Sequence, residues 1–233
     1  MQHRTASAGK IRPGARWDGG KRAGALLEVR DVTKTYRRGV WPRRRSRHVL
    51  RGADLELYPG EVVGLVGENG SGKSTLMKII VGGLRRDSGA IRLAGQVGYC
   101  PQEPILYTRL TCDEHFALFG RGYGMTPAEI TGASNEIYDA LGFGQWAESR
   151  VDELSGGTRA KVNLALALLP DRQVLLLDEP YAGFDWDTYQ RFWELSALRR
   201  AAGRALLIVS HFITDEDRFD RIYDLRDGKA VPR

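Results

Sequence analysis

Residues 61–75 read EVVGLVGENGSGKST, and within them Gly67 to Ser74 fits the pattern G-x-x-x-x-G-K-[ST]. An apolar run precedes the glycines and a helix-forming run, KSTLMKIIVGGL, follows them. Strand, glycine loop and helix therefore stand in the order this pattern needs if it is to hold phosphate. Gly67, Gly70 and Gly72 let the backbone turn so that successive N–H groups converge on an anion, and the helix N-terminus adds positive potential. The candidate phosphate-binding segment is Gly67, Glu68, Asn69, Gly70, Ser71, Gly72, Lys73, Ser74 and Thr75, with Lys73 reaching the β/γ-phosphates and Ser74 a ligand for Mg²⁺.

A second stretch, QVLLLDEP, predicts a buried strand that ends in Asp178 and Glu179. Open parallel sheets bind their ligands at such strand ends. There Asp178 would hold Mg²⁺ directly or through water, and Glu179 would polarise an attacking water. Further strands are expected in LLEVRDV, HVLRGADLELY, EVVGLVG, AIRLAG, QVGYC and RALLIVSH. Helical spacing marks CDEHFALFGRGYG, PAEITGASNEIYDALGF with Pro127 in its first turn, GGTRAKVNLALALL and WDTYQRFWELSALRRA. Helices alternating with continuously apolar strands imply a largely parallel sheet covered on both faces, an α/β fold.

Composition narrows the function classes. A chain of 233 residues with 42% hydrophobic content suits one folded unit. No run approaches the ~20 apolar residues that span a bilayer, so the chain is not expected to cross a membrane. Its first residues lack the apolar core of a signal peptide, and residues 1–24 read as a disordered basic tail. Cys100 and Cys112 stand in no metal-ligand or disulfide spacing and read as reduced structural thiols. The first 50 residues hold 14 Lys and Arg against 3 acids, a surplus of 11 that leaves the other 183 at −5. No aromatic stacking pattern accompanies the basic run RRGVWPRRRSRH, which reads as a solvated loop, and no nucleic-acid partner is expected.

The order TKTY, GENGSGKST, YCPQ, LSGGT, LLLDEP, GFD and VSH resembles the nucleotide-binding domain of the ATP-binding cassette (ABC) transporter family, from about residue 26 to the end. LSGG ahead of LLLDEP is its most specific element. The resemblance implies a P-loop NTPase core with a mainly parallel sheet, an antiparallel β part and an inserted helical subdomain at about 103–155, within a domain spanning 25–233. It also implies ATP and Mg²⁺ as ligands, with Lys73, Glu179 and His211 as the catalytic set. Tyr36 matches the aromatic that stacks on adenine, Gln102 the glutamine that meets Mg²⁺ or the lytic water, and His211 the histidine that bonds the γ-phosphate after the penultimate strand. Ser155, Gly156 and Gly157 match a segment that serves the nucleotide of a second nucleotide-binding domain, so that ATP is sandwiched between two copies or between this chain and a paralogue.

The resemblance further implies an ATP-hydrolysing motor subunit, cytoplasmic and held on the inner face of the cell membrane by an integral permease, with export the expected direction. The docking surface is expected beside Gln102, with Leu106, Tyr107 and Leu110 as partly exposed contacts. The alternative is a soluble ABC ATPase that acts on nucleic acid or in assembly. Thr158 stands where the family usually has Gln, and Lys161 and Leu166 where Arg is frequent. YAGFD replaces the usual TSGLD form, keeping Gly183 and Asp185. The first set predicts weaker phosphate-side hydrogen bonding or a subfamily preference, the second altered communication between paired sites, and hydrolysis is expected to be retained.

Overall fold

The computed structural model describes residues 24–38, 45–211 and 215–233, so all but Gly24 of the tail expected at 1–24 lies outside the described residues. The chain runs through β1 (Leu27–Arg38), β2 (Arg45–Leu57), β3 (Val62–Val66), α1 (Lys73–Ile80), β4 (Ser88–Leu93) and β5 (Val97–Cys100). Next come α2 (Cys112–Gly122), α3 (Pro127–Leu141), α4 (Gly156–Leu168), β6 (Val174–Asp178) and α5 (Trp186–Ala201). It ends with β7 (Ala205–Val209), β8 (Arg221–Arg226) and β9 (Lys229–Pro232).

Two sheets form. One is antiparallel with order β2-β1-β4; the other has order β5-β6-β7-β3-β8-β9, parallel except for the last pair. Every residue of β3, β6 and β7 is buried. Their alternating side chains feed two different cores, as the period of two in a strand requires. Leu175, Leu177, Leu206 and Ile208 join the core under the helices, with Leu164, Leu168, Phe192 and Trp193. Val174, Leu176, Leu207 and Val209 point the other way, against α1 and the antiparallel sheet, through Leu76, Met77, Leu27 and Leu55.

The helices between β5 and β6 start on strong signals. Thr111 and Thr126 each accept a hydrogen bond from the backbone of Glu114 and Glu129, whose carboxylates bond back to the cap, and Pro127 fills the first turn of α3. Their apolar faces, with Cys112, Phe116, Ile137 and Leu141, merge into the core beneath α4 and α5. Both cysteines are buried and unpaired, in line with structural thiols. Burial pushes the Cys112 thiol up to about 11 and Cys100 higher still, so neither is a thiolate near neutrality. Two strands, β8 and β9, follow β7 where the sequence reading expects one; they join through a two-residue turn at Asp227 and Gly228, both at positive φ. No described helix is long and apolar enough to cross a membrane.

Candidate nucleotide-hydrolysis site

Four neighbouring strands of the larger sheet bring the candidate residues together at their C-terminal ends. β5 leads to Gln102, β6 ends in Asp178 and continues to Glu179, β7 leads to His211, and β3 leads into the loop Gly67–Gly72. A cleft of about 790 Å³ lies there, lined by Asn69, Gly70, Gly72, Lys73, Ser74, Thr75, Gln102, Glu179, His211 and Tyr36. Strand order thus assembles segments that are far apart in sequence, at the edge where such sheets hold ligands.

The glycines of the loop have specific reasons. Gly67 and Gly72 lie at φ 148° and 114°. A Cβ at Gly67 would come within 2.7 Å of the Leu225 carbonyl, and one at Gly72 within 2.8 Å of Val49. The loop therefore folds back against β8 and β2 at a spacing that only glycine allows. Lys73 lies under the loop, donating to the carbonyls of Gly67 (2.6 Å) and Glu68 (3.0 Å). Burial lowers its pKa, opposed by the charges of Glu179, Asp178 and Asp224. Tyr36 on β1 is 43% exposed at the cleft, its hydroxyl 3.4 Å from Thr75 Oγ1.

Asp178 and Glu179 are differently placed. Asp178 is 2% exposed; burial raises its pKa, the hydrogen bond from Ser74 opposes this, and Glu179 adds to it. Its Oδ1 is buried without a hydrogen-bond partner among the described residues. A buried carboxylate oxygen with no donor, beside a serine hydroxyl, is a ligand set for a hard cation. Glu179 sits at φ 52°, a left-handed conformation that side chains seldom adopt. Its carboxylate pairs with Nε2 of His211, whose Nδ1 lies 3.5 Å from the Lys73 ammonium. Those partners assign Nε2 as the protonated nitrogen, donating to Glu179, with Nδ1 free to accept.

Ser155, Gly156 and Gly157 are absent from the lining of this cleft. Ser155 caps α4, its hydroxyl accepting from Thr158 N–H at 3.1 Å and lying 2.9 Å from Thr158 Oγ1. Thr158, the departure from the family pattern, thus bonds to the motif serine. The two glycines differ from the sequence reading, which gave both the task of close approach to a partner's nucleotide. A Cβ on Gly157 would meet the carbonyl of Gly183 at 2.9 Å, so this chain's own loop already requires glycine there, whereas Gly156 faces open space.

The variant loop is held by its own substitutions. The Tyr181 ring packs against Tyr189, Phe192 and Trp193 at centroid distances of 5.3–6.3 Å, and its hydroxyl bonds to Ser210, the residue before His211. Beyond Gln102, Leu106 packs partly into the core and Leu110 is half-buried, while Tyr107 is 57% exposed. The unanticipated residue there is His115: fully buried on α2, it accepts from Tyr107 N–H at 2.9 Å, and its Nδ1 donates to Thr111 O at 2.7 Å. Sequence reasoning also missed Ser46 and Arg47. Both line the cleft from β2, and Arg47 donates to the Gly70 carbonyl at 3.0 Å. The basic run expected as a solvated loop is thus in part a wall of the site, while residues 39–44 lie outside the described residues.

The profile of the family described as "ABC transporter" matches residues 50–182, more than half of the chain. The chain belongs to the ABC transporter family. Among curated ABC proteins, a "Nod factor export ATP-binding protein I" of Paraburkholderia xenovorans is 31% identical over 220 residues, covering 89% of this chain and 70% of that one. A "Linearmycin resistance ATP-binding protein LnrL" of Bacillus subtilis is 28% identical, over 88% and 68%. A bacterial ABC transporter cassette solved as a dimer superposes with a TM-score of 0.79 at 25% identity, over 88% of this chain and 96% of that one. The same cassette is known in a post-hydrolysis state with ADP and Pi. The chain is accordingly an ABC ATPase, the nucleotide-hydrolysing motor subunit of a transporter.

Proposed function

We propose that this chain closes head to tail on a second nucleotide-binding domain, a second copy or a paralogue, and that the cycle of closure and hydrolysis drives an integral membrane permease. The observation that carries this reading is the separation of LSGG from its own chain's cleft, with Gly156 open to solvent at the N-terminus of a 13-residue helix. Such a terminus is suited to phosphate, and here it has no phosphate loop of its own to face. It therefore completes the nucleotide held by the other domain.

Within each site the chain's residues divide the work. Backbone N–H groups of Gly67–Gly72 and the α1 N-terminus hold the phosphates, and Lys73 turns from the loop carbonyls to the β/γ oxygens. Tyr36 stacks on the base. Glu179 accepts the proton of the attacking water, and His211 bonds the γ-phosphate after leaving Glu179. Ser74, Asp178 and Gln102 are the residues that would hold Mg²⁺, whose contribution is to neutralise charge on the phosphate oxygens.

The permease would sit against the Gln102–Leu110 segment, where Ile105 and Tyr107 are exposed, placing the protein on the cytoplasmic face of the membrane. Export is the favoured direction, because curated relatives carry export and resistance names. The decisive experiment is sedimentation of Glu179→Gln with Mg·ATP, alone and with the co-purified membrane protein. A nucleotide-dependent dimer is expected; a strict monomer under both conditions would defeat the proposal. Retention of DNA or RNA on filters at physiological salt, with no membrane protein recovered, would favour the soluble alternative.

A further inference from the structure

Gln102 is exposed and begins a stretch with no regular structure until α2. Something must nevertheless hold it at the mouth of the cleft. The strand it leaves, β5, is the edge of the larger sheet and, among the described residues, has a ladder partner on one side only, β6. Past Cys100 that ladder ends.

The next grip comes from α4. Asn163 is 8% exposed, and its side-chain nitrogen donates to the carbonyl of Pro101 at 2.8 Å and to Cys100 Sγ at 3.1 Å. Both amide protons are thereby used, on the two residues immediately before Gln102. A buried amide of this kind is costly to strand and specific in direction, so it fixes where the chain leaves β5. The same helix starts at Gly156, next to the Ser155 cap, about 10 Å or two turns away. One rigid element therefore carries at its tip the residues offered to a second domain, and along its length the clamp on this chain's own Gln102.

We infer that Asn163 is a positioning residue for Gln102, setting the departure of its loop from β5 and tying it to the helix that begins at the LSGG motif. The inference rests on the role proposed above for Gln102. Asn163 does not line the cleft; its effect passes through Pro101. A purely structural asparagine would lower stability whatever stands at position 102, whereas a positioning residue loses its effect on turnover once the glutamine is gone.

The test is a double-mutant cycle on the full chain, following phosphate release against ATP and against Mg²⁺. Asn163→Ala is expected to lower kcat about fivefold to tenfold with KM for ATP within about twofold, and to raise the Mg²⁺ concentration needed for half-activation. In a Gln102→Ala background the same change is expected to cost less than about twofold, because the coupled residue is already missing. If Asn163→Ala does not fold, Asn163→Ser, too short to reach Pro101, takes its place in both backgrounds. Equal losses in the two backgrounds, or an unchanged kcat, overturn the inference and leave the nucleotide site as proposed. Wild-type turnover by Gln102→Ala would overturn the role of Gln102 itself, and this inference with it.

Discussion

Asp178 and Glu179 are adjacent carboxylates with contrasting surroundings, on which the different tasks proposed for them rest. Asp178 is buried with one oxygen unbonded, and burial raises its pKa, so in the folded chain its charged form is disfavoured. Between the ordinary carboxylate pKa and that raised value the folded state binds more protons than the unfolded one, and stability falls as pH rises. Asp178→Asn should therefore melt higher than wild type near neutral pH in EDTA, by about 2–4 °C for each kcal/mol relieved, while hydrolysing no ATP. The gap should close when melting is repeated below the carboxylate range, since both chains are then neutral at 178. Glu179 is instead turned out of the strand, at φ 52°, onto His211. Glu179→Gln keeps the side chain's shape and removes its basicity, so phosphate release should fall about 10²- to 10⁴-fold with nucleotide binding preserved. Equal rates in the two proteins would take Glu179 out of the mechanism.

At the scale of elements, α4 and the loop after β6 test one another. Gly157 has the Gly183 carbonyl against it and Gly156 has nothing, although the two are indistinguishable in sequence. Gly157→Ala is expected to lower the melting temperature of the isolated protein, because backbone must move. Gly156→Ala should leave melting unchanged or raise it slightly, since alanine suits a helix better by about 1 kcal/mol, yet it should slow hydrolysis where two domains meet. Thermal unfolding and phosphate release, measured on both variants, separate the outcomes. The same pair shows how far the sequence alone can be read. Local signals such as Pro127, the apolar runs of β3, β6 and β7 and the G-x-x-x-x-G-K-S pattern each have a short-range physical cause, and the elements they predict are present. Contacts made across the fold carry no such mark. In the sequence Arg47 is one more charge in a basic run, Asn163 a polar interruption of an apolar helix, and His115 a lone histidine. Each owes its role to a partner that only the packing supplies.

At the scale of the molecule, the described residues form a cleft lined by the glycine loop and, apart from it, an open helix tip at Gly156, so on the proposed reading the working unit is expected to hold two nucleotides between two domains. In Glu179→Gln saturated with Mg·ATP, adding Ser155→Arg should abolish the dimer seen by sedimentation while the monomer still binds nucleotide, because bulk and positive charge at the tip block its approach. Dimers that survive this change would place the contact elsewhere. Strand order also bears on when the site can form during synthesis. Among the described residues β3, which launches the glycine loop, has β7 and β8 as its neighbours, and its first partner in β7 lies roughly 140 residues downstream. During synthesis, the segment proposed to grip the triphosphate thus emerges early and waits unpaired until β7 and β8 follow it out of the ribosome. Nascent chains cut short before Ala205 should be unable to retain ATP, because the strand that launches the phosphate loop then lacks both of its neighbours.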